Sequence, residues 1–543
     1  MDELRATKLW LQKQFKTNGV QCQPAALEGL ISVVQDALDP EELVHNILEE
    51  VLKVTEDHKL TPRVLEQILT TLQGQAQPQD VIQIISAADV PYIVYDPVRK
   101  LFHRSNEPRR LFGDAKSKID LYVNRYQLVL QRLRRNRLFR SADFVAQLDQ
   151  ARAQAECELT ELKALMGMCG ELRTVAGFLV QPEEGRFAIE DLSARVPVDL
   201  SEAERTHGLF TENSIVVAEG VLHTNGVFKV AALGLPPAEP KAESLKALQG
   251  LDMFGGHTPD ERAVLEWQQQ HPEDRAVFLS DCWLDRPEVL EKLNTILAGY
   301  SEVEQPPSLF VLAGNFQSYD ANAPSTHYGR LREQFISLGR LLNQFQALKA
   351  KSKFVLVPGP GDLGRGASLP RPPLPQSIAR GLLDACPGVV LASNPCRIRH
   401  GSSNIVVLRD NLQNKLRALA ALPLQTSDAG EGGSSLGDCP LFEHVCATVL
   451  QQAHLSPVPL DYQPIYWELD HALCLYPMPD ALVLANATPA ATHSFDSCSC
   501  LNPGSLASGT FVAYNPVTQE MELCDVSAAE EMEADGELEA EDS

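Results

Sequence analysis

Asp281, Asp285, Asn315 and Asp362 are the residues of this chain whose types and spacing could do chemistry, because each falls just past the end of a short apolar run. Val277-Phe278-Leu279 leads into Ser280-Asp281-Cys282-Trp283-Leu284-Asp285, Leu309-Phe310-Val311-Leu312-Ala313 into Gly314-Asn315-Phe316, and Phe354-Val355-Leu356-Val357 into Pro358-Gly359-Pro360-Gly361-Asp362. Carboxylates delivered by three neighbouring loops could hold two divalent ions about 3.5–4 Å apart and hydrolyse a phosphate ester. That chemistry has a definite ligand set: Asp-x-His at the first loop, a bridging Asp at the second, Asn-His at the third, and further imidazoles to complete the shells. The chain departs from it at every loop. Trp283 stands where the first His belongs, and an indole can only donate. Asn315 replaces the bridging carboxylate, and Pro360-Gly361-Asp362 brings no His. No His-x-His pair occurs anywhere, and Gly256-His257-Thr258 precedes the first loop, in the wrong order. Asp281, Trp283, Asn315, Pro360 and Asp362 therefore read as the vestigial positions of a degenerate site, with no catalytic residue, bound metal or cofactor expected. A second reading stays open, in which Asp281, Asp285, Asp362 and His493 assemble a variant carboxylate site that holds Mg²⁺ weakly.

The elements that position these loops are buried parallel strands, since each apolar run is continuous, with no alternation, and stops abruptly on polar residues. A helix from Pro287 to Leu297 follows the first loop, and an amphipathic helix from Tyr328 to Leu348 separates the second strand from the third. Open α/β sheets place their sites at the carboxyl edge of such strands. Further strands are expected at Val389–Ile398, Ser403–Arg409 and Ala481–Ala485. The Pro-dense Leu369–Pro375 sets an extended crossing, and Asn502-Pro503-Gly504-Ser505 closes the unit, which spans about 246–520. Residues 424–438, rich in Gly and Ser, read as an insertion.

Ahead of that unit the hydrophobic period changes twice. Residues 1–73 carry four short amphipathic helices, the third with Leu43, Ile47, Leu48, Val51 and Leu52 on one face and the fourth opening on Pro62. The polar stretch Gln73–Gln79 makes this a tethered docking module, against the plainer reading of a cap packed on the rest. Residues 74–163 form a linker and helical connecting segment. Its helix from Lys116 to Leu138 bears Arg125, Arg132, Arg134, Arg135 and Arg137, with Arg140 just beyond; it is read as a solvated face in preference to a nucleic-acid contact, because no aromatic platform is interleaved. Over 164–236 the period becomes two. Five short strands (Val175–Val180, Arg186–Glu190, Ala194–Leu200, Ser214–Glu219, Val227–Val230) with one long connection fit an OB-type barrel. Phe178, Phe187 and Phe228 could stack bases, but Glu183, Glu184, Glu190, Asp191 and Asp199 crowd the same region, so a protein-facing barrel is favoured over a DNA-facing one. The net charge of −25 and pI near 5.0 exclude a general nucleic-acid coat. The twelve cysteines contain no Cys-x-x-Cys pair and read as reduced thiols of an intracellular protein. No apolar run reaches the roughly 18 residues of a membrane span. The stretch 525–543 is acid-dense and base-free, the composition of a disordered tail.

The loops taken together resemble those of the calcineurin-like phosphoesterase domain in the B-subunits of eukaryotic replicative DNA polymerases, whose metal site is degenerate. The phrases that carry the resemblance are Phe278-Leu279-Ser280-Asp281 with Trp283-Leu284-Asp285, Ala298-Gly299-Tyr300-Ser301, Gly314-Asn315-Phe316, Val357-Pro358-Gly359-Pro360, Leu369-Pro370-Arg371-Pro372-Pro373-Leu374, Asn394-Pro395-Cys396-Arg397-Ile398 and Asn502-Pro503-Gly504-Ser505. As a set, with Tyr92-Ile93-Val94-Tyr95 and the N-terminal helices, they are similar to the epsilon branch of that family. The resemblance implies a multidomain α and α+β architecture: a helical bundle like the lid of an AAA+ ATPase, an OB-fold, and an inactive phosphoesterase sandwich. It also implies a nuclear, non-catalytic subunit acting in DNA replication, with these partners: the C-terminal region of the polymerase epsilon catalytic subunit, the GINS part of the replicative helicase through residues 1–73, the other small subunits, and DNA through the complex. Which surface residues meet those partners does not follow from it.

Overall fold

The structure is a computed structural model that describes residues 81–526 except 106, 140–157, 258–260, 325, 365–366 and 423–439, together with Leu11, Phe15, Val20–Cys22, Leu30 and Lys59–Leu60. The chain divides into a unit of Met1–Val81 with Thr258–Glu266 and a unit of Ile82–His257 with Trp267–Ser543. In the first, β1 (Gln21–Cys22) and β2 (Lys59–Leu60) pair in parallel, a contact that the helical periodicity does not announce, and Leu11, Phe15, Leu30 and Leu60 are buried. The remainder of the expected four-helix module, the Gln73–Gln79 tether, the 424–438 insertion and the acidic tail after Val526 lie outside the described residues.

The larger unit opens with β3 (Ile82–Ser86), the hairpin β4 (Ile93–Asp96) and β5 (Leu101–Arg104), and the 21-residue helix α1 (Ala115–Arg135), capped by the Asp114 carboxylate on the Ser117 amide. A short turn of helix α2 (Leu162–Leu165) precedes the barrel strands β6 (Leu172–Glu183), β7 (Arg186–Glu190), β8 (Arg195–Asp199), β9 (Glu204–Arg205), β10 (Ile215–Leu222) and β11 (Phe228–Gly234). β6, β7 and β8 form a meander, β8 runs parallel to β11, and β10 pairs with both β6 and β11, which closes the ring. That is the OB plan, with the expected strands present and mostly longer at their ends. Gly220 sits at a register shift between β10 and β11, where an added Cβ would run into the Lys229 carbonyl, so only glycine fits. Val175, Leu179, Ile189, Val216, Phe228 and Val230 fill the interior, which places Phe228 in the core and withdraws it from any base-stacking surface.

After α3 (Lys241–Leu248) the chain builds two six-stranded sheets. One contains β12 (Ala276–Leu279), β13 (Leu309–Ala313), β14 (Lys353–Val357) and β15 (Val389–Leu391), all parallel, continued on the β12 side by antiparallel β21 (Thr510–Tyr514) and β22 (Met521–Asp525). Its helices are α4 (Pro287–Glu302), α5 (Tyr328–Gln344), α6 (Gln346–Lys351) and α7 (Gln376–Ala385). The single helix expected from Tyr328 to Leu348 is two, because Phe345 leaves helical geometry at φ −97° and ψ 78°. The second sheet runs β19-β20-β18-β17-β16-β3, with β16 (Cys396–His400), β17 (Ser403–Arg409), β18 (Ala481–Ala485), β19 (Ala491–Phe495) and β20 (Cys498–Asn502). Its edge strand β3 comes from the stretch read as a linker, a pairing between positions some 300 residues apart that local patterning cannot register. The helices of this side are α8 (Leu412–Ala418) and α9 (Pro440–Gln452).

The inner faces of the sheets meet through Phe278, Val311 and Val355 on one side and Ile398, Val407 and Val483 on the other. The outer face of the first sheet packs on α4, α5 and α7 through Leu293, Phe335 and Leu382, and that of the second on α8 and α9 through Leu416, Val445 and Val449. The four-layer order explains why β12, β13 and β14 read as continuous apolar runs: they are covered on both faces.

Candidate functional site

The three loops that leave β12, β13 and β14 lie side by side, as parallel neighbours must, and their polar groups interlock. Asp281 leaves the strand at φ 53°, in the left-handed region that Asp tolerates, and its Oδ1 accepts the Asn315 amide at 3.3 Å. The Asn315 Oδ1 accepts the Gly361 amide at 2.8 Å. Asp362 accepts the Phe316 amide on Oδ1 and the Gly359 amide on Oδ2, both at 2.7 Å. Burial pushes its carboxyl up to about 6, against those hydrogen bonds and the pull of Arg409 and Arg371. Pro360 contributes a carbonyl to Arg371 Nη1 at 3.2 Å. Trp283 packs on the helix-side apolar cluster, and its buried indole nitrogen has no acceptor. Asp281, Trp283, Asn315, Pro360 and Asp362 thus fall at one sheet edge, and four of them join the same hydrogen-bonded loop cluster.

Two residues of the variant-site reading do not join it. The Asp285 carboxylate holds the Ser318 amide at 2.8 Å and the Ser318 hydroxyl at 2.5 Å. His493 lies on β19, the far edge of the second sheet, with Nδ1 3.7 Å from the Glu443 carboxylate of α9.

Arg409, which the sequence marks only as the end of a strand, is the residue that crosses between the sheets. It is 1% exposed. Its Nη2 donates to Asp281 Oδ1 at 2.6 Å, Nε to the Gly314 carbonyl, and Nη1 to the Ala485 carbonyl at 3.1 Å and Asn411 Oδ1 at 3.3 Å. Its backbone is held in turn by Asn394, whose amide group also binds the Pro358 carbonyl. The available signal is an arginine closing the apolar run Ile405–Leu408, a placement that demands a buried acceptor.

The arginine-rich helix corrects a second expectation. Arg125 of α1 is not solvated: it forms a bidentate pair with Asp470 at 3.0 and 2.5 Å, and the two side chains are 11% and 8% exposed. Burial opposes the Asp470 charge, yet Arg125 and His454 together hold its carboxyl well below the usual carboxylate range. Arg132 is buried with Nη2 on the Gln451 carbonyl, and burial lowers it to about 10. Arg135 reaches Glu239 at 2.7 Å, while Arg134 and Arg137 are exposed. The adjoining face of α1 meets the barrel, with Val129 and Leu133 against Ala176 and Ile215 and the Tyr126 hydroxyl on the Ala176 carbonyl. Barrel and sandwich also meet directly, since the Gln452 side chain of α9 takes both backbone groups of Ile215 at 2.8 and 2.6 Å. The helix therefore stitches two domains together.

Two family descriptions match: residues 276–493 fit the B-subunits of DNA polymerases alpha and epsilon, and residues 115–237 fit "DNA polymerase epsilon subunit 2-like, OB-fold domain". A relative in Arabidopsis thaliana, the B-subunit of DNA polymerase epsilon, is 36% identical over 94% of this chain and 98% of its own length. The chain belongs to the epsilon B-subunit family. "DNA polymerase epsilon subunit 2" of Bos taurus and that of Homo sapiens are each 34% identical over 92% of this chain and 94% of their own. The OB-fold match starts at the first residue of α1, so it takes in the helix together with the barrel on which Val129 and Leu133 pack.

Two other polar clusters among the described residues have the right residue types for chemistry and the wrong arrangement. His454, Asp470 and Cys474 bring ligand atoms within 4.8 Å of one another, but Arg125 occupies both Asp470 oxygens and burial pushes the Cys474 thiol up to about 12. Ser308, His400 and Asp274 do not make a working triad, since one nitrogen, His400 Nε2, meets both Ser308 Oγ at 2.9 Å and Asp274 Oδ2 at 2.8 Å, and His400 is fully buried.

Proposed function

We propose that this protein is a non-catalytic accessory subunit of the DNA polymerase epsilon complex, in which a calcineurin-like phosphoesterase sandwich has lost its metal centre and serves as a scaffold. The observation that carries the reading is the loop cluster: it holds Asp281, Asn315 and Asp362 without an imidazole, and each of these side chains already accepts a hydrogen bond from the protein. Two divalent ions would meet two carboxylates where the chemistry calls for several carboxylates and imidazoles. The barrel, α1 and the sandwich form a composite platform for the C-terminal region of the catalytic subunit, and residues 1–73 extend to the GINS part of the replicative helicase in the nucleus. The other small subunits and DNA are reached through the assembled complex. This reading expects the purified chain to retain no stoichiometric Mn²⁺ or Zn²⁺ and to leave phosphodiesters intact. About two metal ions per chain, with hydrolysis lost in Asp281→Ala, would overturn it. Deleting residues 1–73 should leave association with the catalytic subunit intact and abolish capture of GINS; loss of both would remove the tether from the scheme.

A further inference from the structure

We propose that the Arg409 guanidinium is a built-in replacement for the metal of this loop cluster, a cation carried by the chain that ties the strand-end loops together and closes the seat to divalent ions. The inference deepens the scaffold reading and rests on it. A phosphoesterase sandwich uses its ions for two purposes, chemistry on the substrate and neutralisation of loops that would otherwise repel one another. A chain that abandons the first still has to meet the second, because an ionised carboxylate without a partner is costly in a buried setting.

Arg409 meets it by position. It comes from β17 in the second sheet and reaches the loops of the first, placing Nη2 on the Asp281 carboxylate of the first loop and Nε on the Gly314 carbonyl of the second. Nη1 takes the Ala485 carbonyl at the end of β18. The third loop is tied in at one remove, through Asn394, which accepts the Arg409 amide at 3.0 Å and donates to the Pro358 carbonyl at 2.9 Å. A guanidinium presents five donors in one plane, so a single side chain can serve acceptors on separate loops, as a metal would; an ammonium is a compact point charge on a flexible stem and would not reproduce that fork.

The surroundings leave little for an ion to take. Asp281 Oδ1 accepts from both Arg409 and the Asn315 amide, Asn315 Oδ1 from Gly361, and both Asp362 oxygens from backbone amides. The loops are also packed tightly. A Cβ added to Gly314 would overlap the Asp362 carboxylate and lie 2.6 Å from the Gly359 nitrogen. One guanidinium facing the Asp281 carboxylate is charge-balanced; two divalent ions in the same seat would not be.

The test uses the full-length chain and Mn²⁺ as the probe. Wild type should show no change in melting temperature with millimolar Mn²⁺. Arg409→Gln should melt lower by at least about 5 °C, the scale expected for exposing a buried charge to loss of its partner. Millimolar Mn²⁺ should then restore about half of that loss in Arg409→Gln and none in the Arg409→Gln/Asp281→Asn double variant. A variant that melts with wild type, or one that is destabilised but indifferent to Mn²⁺, overturns the proposal. Asp281→Asn alone gives a readout that does not require Arg409→Gln to fold: it should lower the melting temperature by a similar amount, because the guanidinium loses its counter-charge, and an unchanged value overturns the proposal as well. Failure of the scaffold reading looks different, since it requires wild type itself to bind Mn²⁺ and turn over a phosphodiester with Arg409 in place.

Discussion

The Arg125–Asp470 pair is the contact whose loss should be most costly to the union of barrel helix and sandwich. Arg125→Met removes the guanidinium while keeping most of the side-chain volume, and leaves Asp470, 8% exposed, with only His454 Nε2 at 3.2 Å. Breaking a buried pair by removing one partner costs about 3–5 kcal/mol; with His454 still in contact, the lower end, about 3 kcal/mol at pH 7, is expected. The pH dependence gives a sharper check. In wild type the Asp470 carboxyl is held below its usual 3.8, so its contribution to stability is present above that value and is lost as the pH falls through the native titration. In Arg125→Met the burial penalty on the Asp470 charge is less compensated and His454 loses the repulsion of the guanidinium, so both changes favour uptake of a proton by the His454–Asp470 pair, and the variant gains stability relative to wild type as the pH falls. The gap between the two proteins should therefore shrink from pH 7 to pH 4.5. Asp470→Asn added to Arg125→Met removes the stranded charge and should recover part of the loss, a non-additivity expected of residues in contact. Urea titration followed by tryptophan fluorescence suits the measurement, because Trp467 starts the 3-10 helix that carries Asp470. A loss below about 1 kcal/mol at pH 7, or a loss equal at both pH values, would refute the argument.

His471 is lowered from 6.5 to about 4, first by burial and then by Arg397 and Arg109, while its Nε2 binds the Val90 carbonyl at 3.1 Å. Its neutral form is the native one, so the stability it supports is lost as the pH falls from about 6.5 towards 4; His471→Gln should flatten the stability profile over that window by about 3 kcal/mol, measured by urea titration at pH 7 and 4. Gly314→Ala should lower stability by about 2–3 kcal/mol through forced displacement of the Gly359 backbone, and thermal melting would read it. Gly299→Ala in α4, where an added Cβ meets nothing within 4 Å, should instead raise stability by about 0.5–1 kcal/mol.

What the sequence determined by itself is whatever is written in short range. Three continuous apolar runs stopping on polar residues announced β12, β13 and β14 and the loops beyond them, since strands covered on both faces need no alternation. The switch to period two over 175–230 announced the barrel strands, since one face of each is core. The identities of Trp283, Asn315 and Pro360 at fixed loop positions carried the expectation of a degenerate ligand set, because ligand chemistry depends on residue type before it depends on distance. Only the tertiary structure decided what each charge is for. Arg125 and Arg132 sit in a run of basic residues that looks like a solvated face, and their acceptors, Asp470 and the Gln451 carbonyl, come from more than 300 positions away. The edge strand β3 depends on β16 for its partner in the same way. Arg409 is the clearest instance. Nothing in the neighbouring residues shows that a strand of one sheet ends opposite the loops of another, and the meaning of a buried guanidinium is given entirely by the acceptors that the packing of the two sheets brings to it.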